Sequence, residues 1–554
     1  MESKKNKSNF LVQGTILAVA AIVAKIIGMI YRIPLSRILG DEAYSYYGTA
    51  NEIYTILLMI STFSLPLAVS KMVSEKVHLG EWKNAQKIFR CSMKFALVSG
   101  AVMSILCFLL ADVITGTIMK VGSAAYALRV LSIAIFLFAI TGVLRGFFQG
   151  HETMVPTAVS QVIEQIVHAV VSIVLAAALL NYGRSLTGKD ETYASALGAA
   201  GATAGTVAGV LVALIMLLVV YVSFQKSYRR RMKSDPTKHL ESDRDIYYAI
   251  IMTILPVILS TLLYNISPSL DQGIFNNILA AQGYTSQQYN TIYGIYLSKY
   301  RVLMNVPLAL ASSLSPSVVP TLTAAMVDGN YKDARLKVRS TMRYTMILTI
   351  PCAVGMAALA HPIMALIYND WRALPAGIMQ AGALMIVLFA ISTLSTAVLQ
   401  GIGRMKEPVI NTAISLVIHV IVLVVLLKQF RLNIYGVVYA NTLFAFIICI
   451  LNGLCIKRYL HYRQELRKTF LIPLIASAVM GVAAYLIHYA INSLMNILFV
   501  DWASNMVATI IAILAGATIY VFLLIKLRGI RESEIANLPK GELMVRILHK
   551  IHFL

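Results

Sequence analysis

Charge is scarce in these 554 residues: 13% are Asp, Glu, Lys or Arg, against 58% apolar. Soluble globular domains carry about twice that charged share. The composition excludes one and leaves a polytopic membrane protein. Acids are scarcer still, 25 against 47 Lys and Arg. In a soluble chain that excess would point to nucleic acid. Here the retention of basic loops on the cytoplasmic side accounts for most of it. Cysteine is sparse too: Cys91, Cys107, Cys352, Cys449 and Cys455, with no CxxC pair. That gives no disulfide framework and no metal site, and packing is their role. GxxxxGK followed by Ser or Thr is missing, and the HExxH pattern begun at His151 and Glu152 fails at Val155. No catalytic residue and no cofactor is expected, so the chain is not read as an enzyme. It moves something, using a coupling ion (sodium or proton), the membrane potential or its ligand's own energetics.

What is abundant is long apolar runs. The N-terminal MESKKNKSNF and its following run imitate a signal peptide, but many further runs argue against cleavage. Fourteen spans are expected, among them 10–38, 46–70, 246–275, 290–326, 338–368 and 374–401. With the N-terminus inside, the inner segments hold 35 Lys and Arg, the outer ones 9, and the spans 3 (Lys25, Lys299 and Arg301). That asymmetry predicts a multi-pass membrane protein with both termini cytoplasmic.

The chain repeats itself at an offset of about 250 residues. GEWKNA at 80–85 matches GNYKDA at 329–334, and FQG at 148–150 matches LQG at 399–401. Pro156 and His168 match Pro408 and His419. Three matches in register indicate two copies of a six-span unit. Six is even, so both copies share one orientation about a pseudo-twofold axis along the membrane normal. The expected fold is all-α. It comprises an N-lobe (1–224), a basic cytoplasmic link (225–245), a C-lobe (246–457), two extra spans (458–527) and an amphipathic C-terminal helix (528–554). A central cavity between the lobes follows. The glycines of GAAGATAGTVAG at 198–209 read as small-residue helix packing, not as a phosphate loop.

Cations at membrane depth carry the functional reading. Lys25 lies 15 residues past Phe10, about 22 Å of helix rise. A cation at mid-membrane costs on the order of 3 kcal/mol on insertion scales and usually faces a polar interior. Lys25, Gly28 and Arg32 share roughly one face, while Arg32 and Arg37 can also snorkel to the outer interface. Span 8 adds Lys299 and Arg301. Arg301 shares a face with Asn305, and Lys299 can snorkel. Phosphate or pyrophosphate suits such a cluster, because guanidinium groups grip phosphate oxygens bidentately. Glu52 can pair with Arg32 or Arg37. Glu164 and His168, four apart, can touch, either as a coupling-ion site or as a structural pair. Asp271 reads as water-exposed.

At GTIL (14–17), GMIYRIPLSRILGDE (28–42), LPLAVSKMVSE (65–75), the paired QG motifs and LPKG (538–541), the whole chain resembles the MurJ/YtgP/SpoVB branch of polysaccharide-lipid exporters. That branch sits in the superfamily that includes the MATE drug exporters. The resemblance implies a flippase for the undecaprenyl-pyrophosphate-linked peptidoglycan precursor, lipid II, with two lobes opening alternately. It implies a lipid-tail groove on spans 13 and 14, and a cationic cavity to which Lys25, Arg32 (shifted by one position) and Arg301 belong. Implied partners are the lipid-linked anionic saccharide, membrane lipids and the cell-wall synthesis machinery, with no nucleic acid. Where better-studied members carry an arginine in span 2, 56–63 has none, so Arg37 would compensate. A flippase for another polyprenyl-linked saccharide, or a MATE-like cation-coupled exporter, is the alternative. The latter would want acids where span 1 carries Lys and Arg.

Overall fold

The computed structural model describes residues 16–17, 19–61, 64–187, 191–237, 239–312, 315–497 and 500–530. The amphipathic helix expected at the C-terminus falls almost wholly outside them. The described residues contain no strand. The chain is all-α, as its hydropathy requires of a backbone that must satisfy its own hydrogen bonds in lipid.

Ten described helical segments are long and apolar enough to cross a bilayer, or eleven if the pair Tyr331–Ala358 and Ala360–Tyr368, bent by 82°, counts as one. The first segment, Val19–His78, runs 60 residues. At ~1.5 Å per residue it is roughly three hydrocarbon thicknesses long. The part of expected span 10–38 from Val19 onward and span 46–70 therefore fall within one segment. Helix α1 (19–30) continues into α2 (Arg32–Ser61), and α2 breaks at Gly40, where φ is 73°. Only glycine takes that conformation cheaply, and it turns the chain between crossings. Expected spans 7 and 8 are segmented helices: α8 (Asp243–Asn265) and α9 (Ser267–Ala281), then α10 (Ser286–Ile295), a wide turn Tyr296–Tyr300, α11 (Arg301–Ser312) and α12 (Ser315–Val327). Pro268 starts α9, and Pro307 and Pro320 interrupt the last two. Proline removes a helical hydrogen bond and crowds the preceding turn.

The chain forms two compact units, 1–298 and 299–554. The division does not fall at the basic link. Helices α8–α10 are built into the first unit. Gln272 Nε2 donates to Thr49 Oγ1 at 2.6 Å, Asn276 Nδ2 to the Met119 carbonyl at 2.9 Å, and Tyr289 OH to the Lys120 carbonyl at 2.7 Å. These buried polar contacts tie α9 and α10 to the copy that precedes them.

Around that scaffold run α3 (Leu65–His78), α4 (Trp82–Asp112), α5 (Ala124–Gly150), α6 (Val155–Thr187) and α7 (Glu191–Lys233). The glycine-rich stretch packs as expected. A Cβ on Gly201 would lie 2.3 Å from the Leu175 carbonyl oxygen, and one on Gly209 2.6 Å from that of Glu164. With Gly205 against the Ser172 and His168 backbone between them, close approach at each turn joins α6 to α7.

The second unit holds α13 (Tyr331–Ala358), α14 (Ala360–Tyr368), α15 (Ala373–Ala381), α16 (Ala383–Gly401), α17 (Lys406–Lys428) and α18 (Ile434–Leu460). Helices α19 (Ile472–Met495) and α20 (Asp501–Lys526) add a small core of Ile472, Met480, Tyr520 and Leu524 beside α13. Tyr520 OH donates to the Ile347 carbonyl at 2.7 Å.

Candidate functional site

Helix α1 has two faces. Val19, Ile22, Val23, Ile26 and Ile30 form an exposed apolar stripe. Hydrogen bonds from Tyr31 N to Ile27 O and from Leu35 N to Tyr31 O carry the helix across the join with α2. At about 100° per residue, Lys25 and Arg32 then lie about 20° apart, well off that stripe. Gly28, between them, looks at α6: a Cβ there would meet Gln165 Oε1 at 3.3 Å. The cationic face of α1 thus opens on the polar side of the first unit, with Lys25 exposed and Arg32 half-buried.

Arg32 sits among the phenols of Tyr31, Tyr44 and Tyr47. Its Nε is buried without a hydrogen bond, and among the described residues no carboxylate pairs with it. A buried donor left unmade costs about 1–3 kcal/mol, more on a charged group. Beside it, Tyr31 OH lies 2.9 Å from Tyr47 OH and 3.3 Å from His168 Nε2, which is 3.2 Å from Thr206 Oγ1. Gln161 Oε1, on α6, is also buried without a partner. The seam therefore offers one cationic donor and a line of hydroxyls. Chemically, such a set suits an anionic group with hydroxyls of its own.

Glu164 and His168 do not form the expected pair. Glu164 accepts from Arg145 Nη2 at 2.7 Å, while Arg145 Nε donates to Ser160 Oγ at 3.0 Å. Both charges are nearly buried. Arg145, counted in the sequence as an inner-loop cation, is a buried residue of α5. Its setting in AITGVLRGFF, apolar on both sides, was the available signal. Glu52 does not reach Arg32. It is half-buried further along α2, and Arg37 is exposed past Arg32. Asp271 is buried in α9 and not water-exposed.

In the second unit Lys299 is 6% exposed, and its Nζ donates to Asp370 Oδ2. Asp370 also accepts from Arg372 Nε at 2.8 Å and Nη2 at 2.6 Å. Lys299 therefore does not snorkel; it anchors the turn between α14 and α15. Arg301 is half-buried at the start of α11. Burial alone would raise the Asp370 carboxyl, but the hydrogen bonds from Arg372 and Lys299 hold it well below the usual carboxylate range. A depressed folded pKa stabilises above the unfolded value and is lost as pH falls through the folded one. Lys299→Met should cost ~1.5–3 kcal/mol, the worth of a hydrogen bond to a charged group. In thermal melts that deficit should shrink as pH drops below about 4, where the unfolded carboxyl begins to protonate.

Residues 11–326 match the family model for polysaccharide biosynthesis proteins, and 293–425 match that for MatE. The chain is 28% identical over 542 residues to the lipid II flippase MurJ of Bacillus subtilis (strain 168), covering 93% of this chain and 95% of that protein. It is 24% identical over 544 residues to stage V sporulation protein B of the same organism, covering 98% and 100%. Among solved structures, a lipid II flippase MurJ in an inward closed conformation aligns with a TM-score of 0.60 at 17% identity, over 92% of this chain and 99% of that one. An inward-facing MATE transporter aligns at 0.59 and 16%, over 79% and 98%. These likenesses establish a shared fold.

Proposed function

Since the chain belongs to the polysaccharide biosynthesis protein family, we propose that it is a flippase carrying the undecaprenyl-pyrophosphate-linked peptidoglycan precursor, lipid II, from the inner to the outer leaflet. The polyprenyl tail stays in the bilayer while the headgroup crosses the polar interior by alternating access. The observation that carries this reading is Arg32: a buried guanidinium donor, uncompensated by any described carboxylate, on the side of α1 turned from its apolar stripe. A pyrophosphate supplies the missing acceptors. Lys25 adds a second cation on the same face, and the hydroxyls of Tyr31, Tyr47 and Thr206 suit sugar groups. Arg37 on α2 belongs to the same proposal, and Arg301 does so within the second unit alone. The Lys and Arg asymmetry supports a cell-membrane protein with both termini cytoplasmic. Sodium, protons or the membrane potential would drive the cycle. A cation exporter would want a carboxylate where Arg32 stands.

The full-length likeness to stage V sporulation protein B favours a second reading, a different polyprenyl-linked saccharide. A headgroup-accessibility assay in proteoliposomes separates the two. Fluorescent lipid II should become accessible on the far side faster than undecaprenyl-pyrophosphate sugars lacking the peptide. Equal rates for all of them, or transport of the others alone, would displace lipid II as the substrate.

A further inference from the structure

The two copies of the GxxK motif end in different surroundings. In the first unit, the turn at Gly80 (φ 77°) leads into α4, and the acid-bearing later part of the basic link lies along that helix start. Lys83 N donates to Asp235 Oδ2 at 2.8 Å and Lys83 Nζ to the Asp235 carbonyl at 2.8 Å. Asn84 Nδ2 donates to the His239 carbonyl at 3.3 Å, and Glu241 N donates back to Asn84 Oδ1 at 3.1 Å. Lys76 pairs with Glu241, and Lys87 with Asp243 at 2.9 Å. The segment bearing Asp235, Glu241 and Asp243 is thus held through both its carboxylates and its backbone.

In the second unit, the turn at Gly329 (φ 66°) leads into α13 in the same way. Here the chain after α18 is short. Residues 461–466 run directly into the next helical segment, which starts at Arg467. What is left is a groove of about 400 Å³, lined by Lys332, Arg335, Arg339, His461, Arg463 and Glu465 among others. Lys332, Arg335 and Arg339 share one face of α13 over about 10 Å of rise. Arg339 is paired with Glu465, its Nε donating to Oε2 at 2.7 Å. Among the described residues no carboxylate pairs with Lys332, Arg335 or Arg463. The groove is concave and also carries the exposed side chain of Leu336.

We propose that this groove binds an extended acidic peptide segment of a partner protein, as the first unit binds its own link. The repeat supplies the precedent: the same turn and helix start, with Lys83 where the second unit has Lys332, hold a segment bearing Asp235, Glu241 and Asp243, while Asn84 and Lys87 give way to Asp333 and Leu336. The surplus of three cations, arranged along a cleft and not on a plane, suits alternate carboxylates of an extended chain better than a membrane surface. That the partner is cytoplasmic rests on the topology reading above, but binding to the purified protein does not depend on it.

The test uses the full chain in uncharged detergent micelles and a fluorescein-labelled peptide copying residues 234–243. Anisotropy should rise saturably and fall as salt screens the pairs. Arg335→Glu/Arg463→Glu should weaken binding at least tenfold, as should replacing the peptide's Asp and Glu by Asn and Gln. Arg230→Glu/Lys233→Glu, basic positions elsewhere, should leave binding unchanged. Arg335→Gln/Arg463→Gln guards against an effect of the reversed charge on folding, and its melt should match the parent's. Binding that ignores Arg335 and Arg463 would overturn the proposal. So would a silent peptide alongside phosphatidylglycerol vesicles held through those two residues, which would make the groove a lipid site. Peptide binding seen only after Glu532→Gln/Glu534→Gln would assign it to the chain's own sequence and equally defeat the partner.

Discussion

Arg32→Ala should reduce lipid II translocation by at least about a hundredfold in proteoliposomes while leaving the melting temperature close to that of the parent. The guanidinium offers two charge-assisted bonds to a pyrophosphate, each worth ~1.5–3 kcal/mol, and every 1.36 kcal/mol is a factor of about ten. Folding should tolerate the change, because Arg32 makes no described ion pair and its Nε is unbonded. Arg32→Lys keeps the charge but loses the planar fork, so an intermediate rate is expected. Loss of stability in step with loss of transport would show that Arg32 holds the helices and does not hold cargo.

Arg145→Ala should act the other way, on stability first. Its partner Glu164 is nearly as buried as Arg145 itself. Stranding a buried charge typically costs about 3–5 kcal/mol, whereas replacing both partners by apolar groups is often neutral. The single variant should fail or melt far below the parent in a fluorescence-detected thermal assay. Arg145→Met/Glu164→Met should recover most of the loss. If the double variant is stable yet transports nothing, the pair serves the cycle as well as the fold.

The difference between these two arginines shows how far the chain could be read without coordinates. Arg32 stood out because it follows an apolar run on the same helical face as Lys25, and angular position along one helix needs no tertiary knowledge. The tyrosines around it did not, since Tyr44 and Tyr47 lie beyond the break at Gly40. Arg145 was hidden by its place near FQG, where an arginine passes for a loop cation. Its pairing with Glu164 depends on how α5 and α6 are rotated against each other. The partner of Lys299 was hidden for the same reason: Asp370 is 71 residues away, and the bend between α13 and α14 brings it near. The internal repeat survived because short turn motifs keep their residues, here glycine at positive φ followed by a helix start. Membership of α8–α10 in the first unit was not legible, because side-chain bonds such as Gln272 to Thr49 override the connectivity the repeat suggests.

The central claim, that the Lys25 and Arg32 face of α1 is wet and receives an anionic headgroup, has a direct measurement. Single cysteines at Ala21, Lys25, Ile22 and Ile26, in a background with the five native cysteines replaced, can be challenged with a charged, membrane-impermeant thiol reagent. Ala21→Cys and Lys25→Cys should react, and added lipid II should slow them. Ile22→Cys and Ile26→Cys should stay unmodified. Reaction on the isoleucine stripe with silence at positions 21 and 25 would put the cations against acyl chains and contradict the account.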